Sequence, residues 1–197
     1  MQRKVILLFI FSLLALNAYT QGFKGGLHAG LLATQVDGDN HAGYKKAGLF
    51  AGVFTNYSFA DRKILLQFEL NYAQKGSSAA PVYRMKLQQV EPTALLGWKF
   101  WNKFLLEGGL SCSILASAKE YGNQGLYSSE DGSNFYRVHV EWIGGLGYCF
   151  QKHWIASFRF IYSTPIGTTN KWNSGIRQGV EGYMCNNCLL FRLSYQF

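Results

Sequence analysis

Seven charged side chains stand singly within stretches whose residues alternate between apolar and polar. Each belongs to the polar set of its stretch, so the charges would share one face of the folded chain. Carboxylates and guanidiniums on one enclosed face could relay protons or line a gated path for ions. The seven residues are Glu69, Glu91, Glu107, Glu141, Arg137, Arg159 and Arg192.

Residue counts along the stretches, at about 3.3 Å per residue, predict two layers of charge. One layer, four or five residues from the short connections, would hold Glu69, Glu107, Arg159, Arg192 and His28. A second layer, farther from those connections, would hold Glu91, Glu141, Arg137 and His139. Such layers could relay protons, or they could be a structural plug of mutually neutralising charges. We favour the plug, because an eight-stranded barrel is just wide enough for side chains to fill it.

Side chains for catalysis would have to come from the connecting segments. The candidates there are Ser128, Ser129, Asp37, Asp39, His41 and Asp131. No G-x-S-x-G motif, phosphate-binding loop or metal-ligand spacing accompanies them. We therefore expect solvated loop residues, no enzymatic activity and no cofactor.

The four cysteines give no metal or redox motif. Cys185 and Cys188 form a lone CxxC, without the second ligand pair that zinc needs or a thioredoxin-like βαβ context. Cys112 and Cys149 lie singly in strand-like runs. We expect no metal site, and Cys185 and Cys188 are either a local disulfide or two idle thiols.

The elements that position these residues are β-strands, because no segment after residue 20 has convincing helical periodicity. In ILLQFELNYAQKG, apolar residues at 64, 66, 68, 70 and 72 alternate with a set that includes Glu69. Eight runs of this kind occur, although Phe50 and Phe54 fall in the otherwise small or polar phase of theirs. The runs span residues 23–36, 47–59, 64–76, 86–100, 104–118, 136–150, 154–163 and 187–197.

The connections between the runs alternate in length. Short links at 60–63, 101–103 and 151–153 alternate with long polar links at 37–46, 77–85, 119–135 and 164–186. Short links at one end and long links at the other are typical of an up-and-down antiparallel barrel, and of outer-membrane barrels in particular. A soluble lipocalin-like barrel remains the alternative, with its apolar face inward.

Two features favour the membrane barrel. No lysine falls in the middle of a predicted strand, whereas a solvated outer face is usually rich in lysine. Aromatic residues crowd the end with short links, where an interfacial girdle would lie. They are Tyr57, Phe59, Trp98, Phe100, Trp101, Phe104, Tyr148, Phe150, Trp154, Tyr195 and Phe197. We predict an all-β fold, an eight-stranded antiparallel up-and-down transmembrane β-barrel.

The first twenty residues predict export. Arg3 and Lys4 precede an apolar run at 5–16, and the segment at 18–20 is a plausible cleavage site. This pattern predicts that residues 1–20 are a cleaved signal peptide and that residues 21–197 are the barrel domain. Loss of Arg3 and Lys4 lowers the formal net charge from +8 to +6. The densest basic pairs are only Lys45-Lys46 and Arg62-Lys63, which argues against a nucleic-acid surface. Anionic lipid headgroups are the more natural partner.

The segment CLLFRLSYQF places apolar residues at alternate positions up to Phe197. An aromatic strand with Tyr195 and Phe197 resembles the C-terminal signal that the outer-membrane assembly machinery reads. We therefore expect this machinery and periplasmic chaperones as partners during biogenesis, lipids as partners in the outer membrane, and no nucleic acid.

Two stretches, FKGGLHAGLLATQV and KAGLFAGVFTNYSFADRKILLQFELNYAQKGS, resemble the opening strands of the PorT-like, or outer-membrane β-barrel domain, family. The string Glu-Leu-x-Tyr-x-x-Lys-Gly at 69–76 is the most telling match, and Glu91-Pro92 sits where that family often has a proline. The resemblance implies an eight-stranded barrel in a Gram-negative outer membrane. It implies no reaction.

Three functions follow as expectations. The first is a non-enzymatic barrel with a structural or interaction role, whose outer loops 119–135 and 164–186 contact a partner or lipid through Tyr121, Tyr127, Tyr183 and Trp172. The second is a narrow porin-like pore or small-solute transporter, and the third is a lipid-modifying barrel enzyme.

Overall fold

The computed structural model describes residues 22–38, 43–59, 63–79, 83–101, 103–122, 125–126, 135–168 and 183–197. These residues form ten β-strands, eight long and two of two residues each. The strands are β1 (Phe23–Asp37), β2 (Lys46–Phe59), β3 (Ile64–Lys75), β4 (Ser78–Ala79), β5 (Tyr83–Phe100), β6 (Phe104–Gly122), β7 (Gly125–Leu126), β8 (Val138–Cys149), β9 (Trp154–Thr168) and β10 (Tyr183–Gln196). Within the described ranges, no helix is long and apolar enough to cross a membrane.

The eight long strands close into a barrel. Each pairs antiparallel with its neighbours in the ring order β1-β2-β3-β5-β6-β8-β9-β10. The ring closes where β10 pairs with β1, from Gly26 opposite Gln196 to Asp37 opposite Cys185. The short β4 and β7 extend the wall beside β5 and β6. The predicted eight-stranded up-and-down topology is confirmed.

Several strands are longer than predicted at the end that carries the long links. β5 begins at Tyr83 rather than 86, β9 continues to Thr168, and β10 begins at Tyr183 rather than 187. The backbone ladder continues there beyond the predicted runs, with Tyr83 opposite Gly122. Backbone pairing does not require an apolar outer face, so β5 extends to where Arg84 and Lys86 are exposed and Tyr83 and Met85 face inward.

The exposed face of the wall is apolar over most of its height. Leu31, Leu70, Leu96, Trp142 and Phe191 each expose half of the side chain or more, while the alternate residues are buried. Phe50 and Phe54, which break the pattern of β2, point inward with 3% and 5% exposure and stack on His28. The barrel thus has its apolar face outside, opposite to a lipocalin-like barrel.

Aromatic rings surround the end with the short links. Ring contacts join Phe23 to Tyr57, Phe104 to Tyr148 and Trp154 to Tyr195 at centroid distances of 5.0, 5.1 and 5.0 Å. Trp101, in the link between β5 and β6, adopts a left-handed backbone with φ 48° and is 83% exposed. The rings lie at the level where the sequence predicts an interfacial girdle.

Candidate functional site

The charged layer nearer the short links, which we term the lower layer, is built on Glu69 of β3 and Glu107 of β6. The layer farther from them is the upper layer. Arg159 of β9 binds both: its Nη1 and Nη2 donate to the two carboxylate oxygens of Glu69 at 3.0 and 2.9 Å, and its Nε donates to Glu107 Oε2 at 2.6 Å. The fork of a guanidinium fits a carboxylate in this two-bond geometry. In the ring order, β3 and β9 are diametrically opposite, so this ion pair crosses the lumen.

Arg192 of β10 is the second cation of the lower layer. Its Nη1 donates to Glu69 Oε1 at 2.6 Å, its Nη2 lies 3.4 Å from Glu107 Oε1, and its Nε donates to Ser157 Oγ at 3.0 Å. The two arginines and two glutamates carry no net charge together. All four are at least 95% buried.

Neutral side chains complete this layer. Gln67 Nε2 and Asn71 Nδ2 donate to Glu69 at 2.6 and 3.0 Å. His28 Nε2 lies 2.7 Å from Asn71 Oδ1, and its Nδ1 lies 3.4 Å from Arg192 Nη1. An arginine can only donate, so Nδ1 accepts, and His28 is the neutral tautomer with its proton on Nε2.

The upper layer has Lys75 at its centre. Its Nζ lies 2.6 Å from Glu91 Oε1 and 2.5 Å from Glu141 Oε2, and the three side chains are at most 1% exposed. His139 Nε2 lies 3.3 Å from Glu141 Oε1, and Ser113 Oγ donates to Glu91 at 3.3 Å. With both carboxylates ionised, the two glutamates and one lysine have a net charge of −1.

A hydrogen-bonded chain extends from the lower layer toward the upper layer. Asn71 Nδ2 donates to Thr93 Oγ1 at 3.2 Å, and Thr93 Oγ1 donates to Ser111 Oγ at 2.8 Å. Polar atoms without a protein partner among the described residues remain in the interior, including Gln89 Nε2, His139 Nδ1 and both side-chain polar atoms of Asn186. Each charged side chain of the two layers therefore has a polar partner, whereas several neutral polar groups have none among the described residues.

Apolar side chains close the lumen as well. A first buried cluster comprises Leu32, Phe50, Ala73, Leu95, Ile143, Ile161, Cys188 and Leu190. A second, which we term the outer apolar cluster, comprises Val36, Tyr83, Met85, Leu87, Ala118, Phe135, Ile166 and Met184 at the end with the long links. Met85 and Met184 have no exposed surface. The charge pattern of the sequence did not reveal this plug, although Leu87 shares the strand phase of Glu91.

The structure brings six of the seven predicted charges into the interior and leaves one outside. Arg137 is exposed and precedes β8, which begins at Val138. Its placement in the lumen was wrong, because the alternation is broken there: residues 136, 137 and 138 are all exposed. Its backbone carbonyl accepts a hydrogen bond from Leu115 N at 2.8 Å.

The lysines of the described strands lie toward the strand ends, as expected, but the expectation did not anticipate an inward-facing lysine. Lys75 is a buried member of the charged interior, and Lys86 lies within β5. Lys75 shares the phase of Glu69, Asn71 and Ala73, so its inward direction was readable from the sequence. Its position at the end of the predicted strand concealed it.

Of the candidate catalytic residues, the structure describes only Asp37. Ser128, Ser129, Asp39, His41 and Asp131, and the loop residues Tyr127 and Trp172, lie outside the described residues. Asp37 accepts hydrogen bonds from Gln35 Nε2 at 2.8 Å and Asn187 Nδ2 at 3.2 Å, which ties β1 to β10 at the outer rim. The side chain of Tyr121 is half-buried.

The four cysteines are free thiols, with Cys112 exposed and Cys188 buried. Cys185 and Cys188 are therefore unbridged. No group of three or more potential metal ligands occurs among the residues that the structure describes.

Comparisons with known proteins agree with this architecture. Residues 17–164 match a family model described as "Outer membrane protein beta-barrel domain". No curated protein matches the chain significantly. Among solved structures, Ail, the attachment invasion locus protein of Yersinia pestis, aligns with 12% identity and a TM-score of 0.58, over 90% of this chain and 100% of that one. Neisserial surface protein A aligns with 15% identity and a TM-score of 0.55, over 90% and 98%. At these identities, the likeness to the two structures shows the fold.

Proposed function

This chain belongs to the outer membrane protein β-barrel domain family, and from that premise we propose that it is a non-enzymatic barrel that acts through its outer loops. The protein resides in the cell outer membrane. Short turns face the periplasm in such barrels and longer loops face outward. The outer apolar cluster accordingly lies at the extracellular end of the lumen.

The observation that carries the proposal is the closed interior. Two charged layers and two apolar clusters fill the lumen, and the largest side chains in them, including Arg159, Arg192, Tyr83 and Lys75, are almost completely buried. A pore needs a continuous hydrated path, whereas this interior is packed with paired charges and apolar groups. What remains for contact with other molecules is the outer surface of the wall and the loops.

The loops 119–135 and 164–186 are the proposed contact segments. Tyr121, Tyr127, Tyr183 and Trp172 are the contact residues that we propose, because aromatic side chains provide much of the binding energy in protein interfaces. The proposed partners are outer-membrane lipids and a protein that binds these loops.

We further propose that residues 1–20 are a signal peptide, and that periplasmic chaperones and the outer-membrane assembly machinery receive the chain, with Tyr195 and Phe197 as the assembly signal. Phe197 N donates to Gly25 O at 3.0 Å, so this aromatic end is part of the seam between β10 and β1. The narrower resemblance to PorT-like proteins stays a prediction that rests on the string at 69–76.

Conductance in planar bilayers tests the closed barrel. The refolded protein should insert without producing current steps. A variant with Met85→Ala, Met184→Ala and Arg159→Ala loses side-chain volume in both the outer apolar cluster and the lower layer. It should conduct more ionic current than the parent. Arg137→Ala, a change at an exposed arginine, is the control and should produce no current steps.

A narrow pore is the second candidate, and the unpartnered atoms of Gln89, His139 and Asn186 favour it, since such groups bind water readily. Regular current steps from the parent protein, with an ion selectivity that changes in Arg159→Ala, would replace the closed barrel with this pore.

A further inference from the structure

The outer end of the wall contains a lateral cleft between β2 and β3. Pairing of these strands ends at Phe50 and Ala73, while β2 remains paired with β1 up to Lys46 and β3 with β5 up to Lys75. Gly48 marks the last close approach, because a Cβ there would lie 1.9 Å from the backbone oxygen of Gln74. Beyond it the strands separate and leave a cavity of about 480 Å³.

The cleft is strongly basic. Lys45, Lys46, Arg84 and Lys86 line it together with polar Gln74 and Ser78, and none of its described lining residues is a carboxylate. In the part of the chain that the structure describes, none of the four cations forms an ion pair. Lys86 Nζ lies 5.6 Å from the ring centroid of Tyr121, which leaves its donors free for an anion.

Four neighbouring cations without a counter-charge repel each other, and an anion that binds among them removes that repulsion. A phosphate ester fits this set, since a guanidinium binds two phosphate oxygens at once and ammonium groups act as adjacent point charges. The chemical class indicated by the cleft is therefore a phosphorylated or similarly anionic group.

A second cavity on the same outward face identifies the carrier of that group. The exposed residues of β5 run from Arg84, Lys86 and Gln88 down to Val90, Pro92 and Ala94. An apolar groove of about 540 Å³ lies at the lower level, lined by Phe68, Leu70, Pro92, Ala94, Leu110 and Cys112. Pro92 and Ala94 are small beside Phe68 and Leu110, which explains the depression.

The spacing of the two cavities fits an amphiphile. Lys86 and Pro92 are six residues apart on one strand, about 20 Å at 3.3 Å per residue. A strand tilted by about 40° places the groove some 15 Å deeper in the membrane than the cleft. That is the depth of an acyl chain below its own headgroup.

We propose that the cleft binds the phosphorylated headgroup of an outer-leaflet lipid, with an acyl chain of the same lipid in the groove below. This deepens the lipid part of the proposed function and rests on the placement of the barrel in the membrane. It does not depend on what the outer loops bind or on whether the lumen conducts.

The test counts lipids bound to the intact refolded protein in zwitterionic micelles by native mass spectrometry. Dioctanoyl phosphatidic acid is the probe, phosphatidylcholine is the neutral-headgroup comparison, and inorganic phosphate is the soluble comparison. The variant Arg84→Gln/Lys86→Gln should bind phosphatidic acid at least about tenfold more weakly than the parent, because it loses two charge-assisted contacts. The matched control Lys63→Gln/Lys103→Gln removes two exposed cations at the opposite end and should bind as the parent does.

A third variant separates the two sources of the anion. Ala94→Trp fills the groove and should weaken phosphatidic acid binding while leaving competition by inorganic phosphate unchanged. Equal binding of phosphatidic acid by the parent and by Arg84→Gln/Lys86→Gln would overturn the site. An unaltered affinity in Ala94→Trp would overturn the acyl-chain part and leave an anion site for soluble phosphates.

Folding of every variant is checked by its migration on a gel with and without boiling. A variant that lacks the compact unboiled band is replaced by the single change Lys86→Gln. Equal binding of phosphatidic acid by this variant and the parent would likewise overturn the site. Current steps in the bilayer experiment would contradict the closed barrel without affecting lipid counts, so the two proposals fail separately.

Discussion

At the scale of the residue, Glu69 is the most heavily bonded group of the interior. Four side chains donate to its carboxylate: Arg159, Arg192, Gln67 and Asn71. A buried charge is tolerated when its lone pairs are filled by donors, and removal of one partner leaves the remaining charges uncompensated. The interior therefore depends on complete ion pairs rather than on any one bond.

Arg159→Ala should lower the free energy of unfolding by about 3–5 kcal/mol, because it leaves Glu69 and Glu107 with fewer donors in a buried site. Arg137→Ala removes the same side chain at an exposed position and should change it by no more than about 0.5 kcal/mol. Urea unfolding of both variants in lipid vesicles, followed by tryptophan fluorescence, measures the difference. Equal effects would show that the lower layer does not stabilise the barrel.

Lys75 allows a test of coupling in the upper layer. Lys75→Met should destabilise the barrel, because Glu91 and Glu141 then face each other without their shared cation. Adding Glu141→Gln removes one of these charges, so the double variant should be more stable than the sum of the single effects by about 1–3 kcal/mol. Simple additivity in the double-mutant cycle would contradict the ion pairs. Lys103→Met, at an exposed lysine, is the control for the loss of charge.

At the scale of the element, close approach of neighbouring strands is set by glycines on the wall. The Cβ of an alanine at position 48 would meet the backbone oxygen of Gln74, which cannot rotate away. At position 144 a Cβ would have no heavy atom within 4 Å. The two positions therefore separate a steric requirement from the ordinary preference of strands for residues with side chains.

Gly48→Ala should destabilise the barrel by about 1–3 kcal/mol, the usual cost of forcing backbone to shift around an added methyl group. Gly144→Ala should be neutral or slightly stabilising. Both values come from the same urea titration. A neutral Gly48→Ala would mean that β2 and β3 can separate there freely.

The strand pattern explains which parts of the interior could be predicted. Glu69 and Arg159 were placed together for two reasons. Period-two alternation gives the direction of each side chain, and the number of residues from the short links gives its height in the barrel. Arg137 was misplaced because the alternation fails before Val138, and Lys75 was overlooked because it lies where the apolar pattern ends. The outer apolar cluster was not predicted, since Tyr83 and Met85 precede the expected start of β5 and lie inward only because the strand continues beyond the predicted run.

At the scale of the whole molecule, the closed ring and its apolar exterior determine how the protein behaves in detergent. The refolded protein should migrate as a compact band when unboiled and more slowly after boiling, because a barrel without free edges resists dodecyl sulfate. Trypsin should spare the wall and cut only at the outer links. Migration that boiling does not alter, or solubility without detergent, would contradict a membrane barrel.

The ion pair between Arg159 and Glu69 joins strands on opposite sides of the ring, and Arg192 joins β10 to β6 and β3 at the same height. A hollow cylinder flattens easily under lateral pressure, because its strands can hinge at their shared ladders. Ties across the diameter oppose that flattening. The cross-section of this barrel should therefore stay round as the bilayer thickens, thins or crowds around it, and the loops that it carries keep a constant separation.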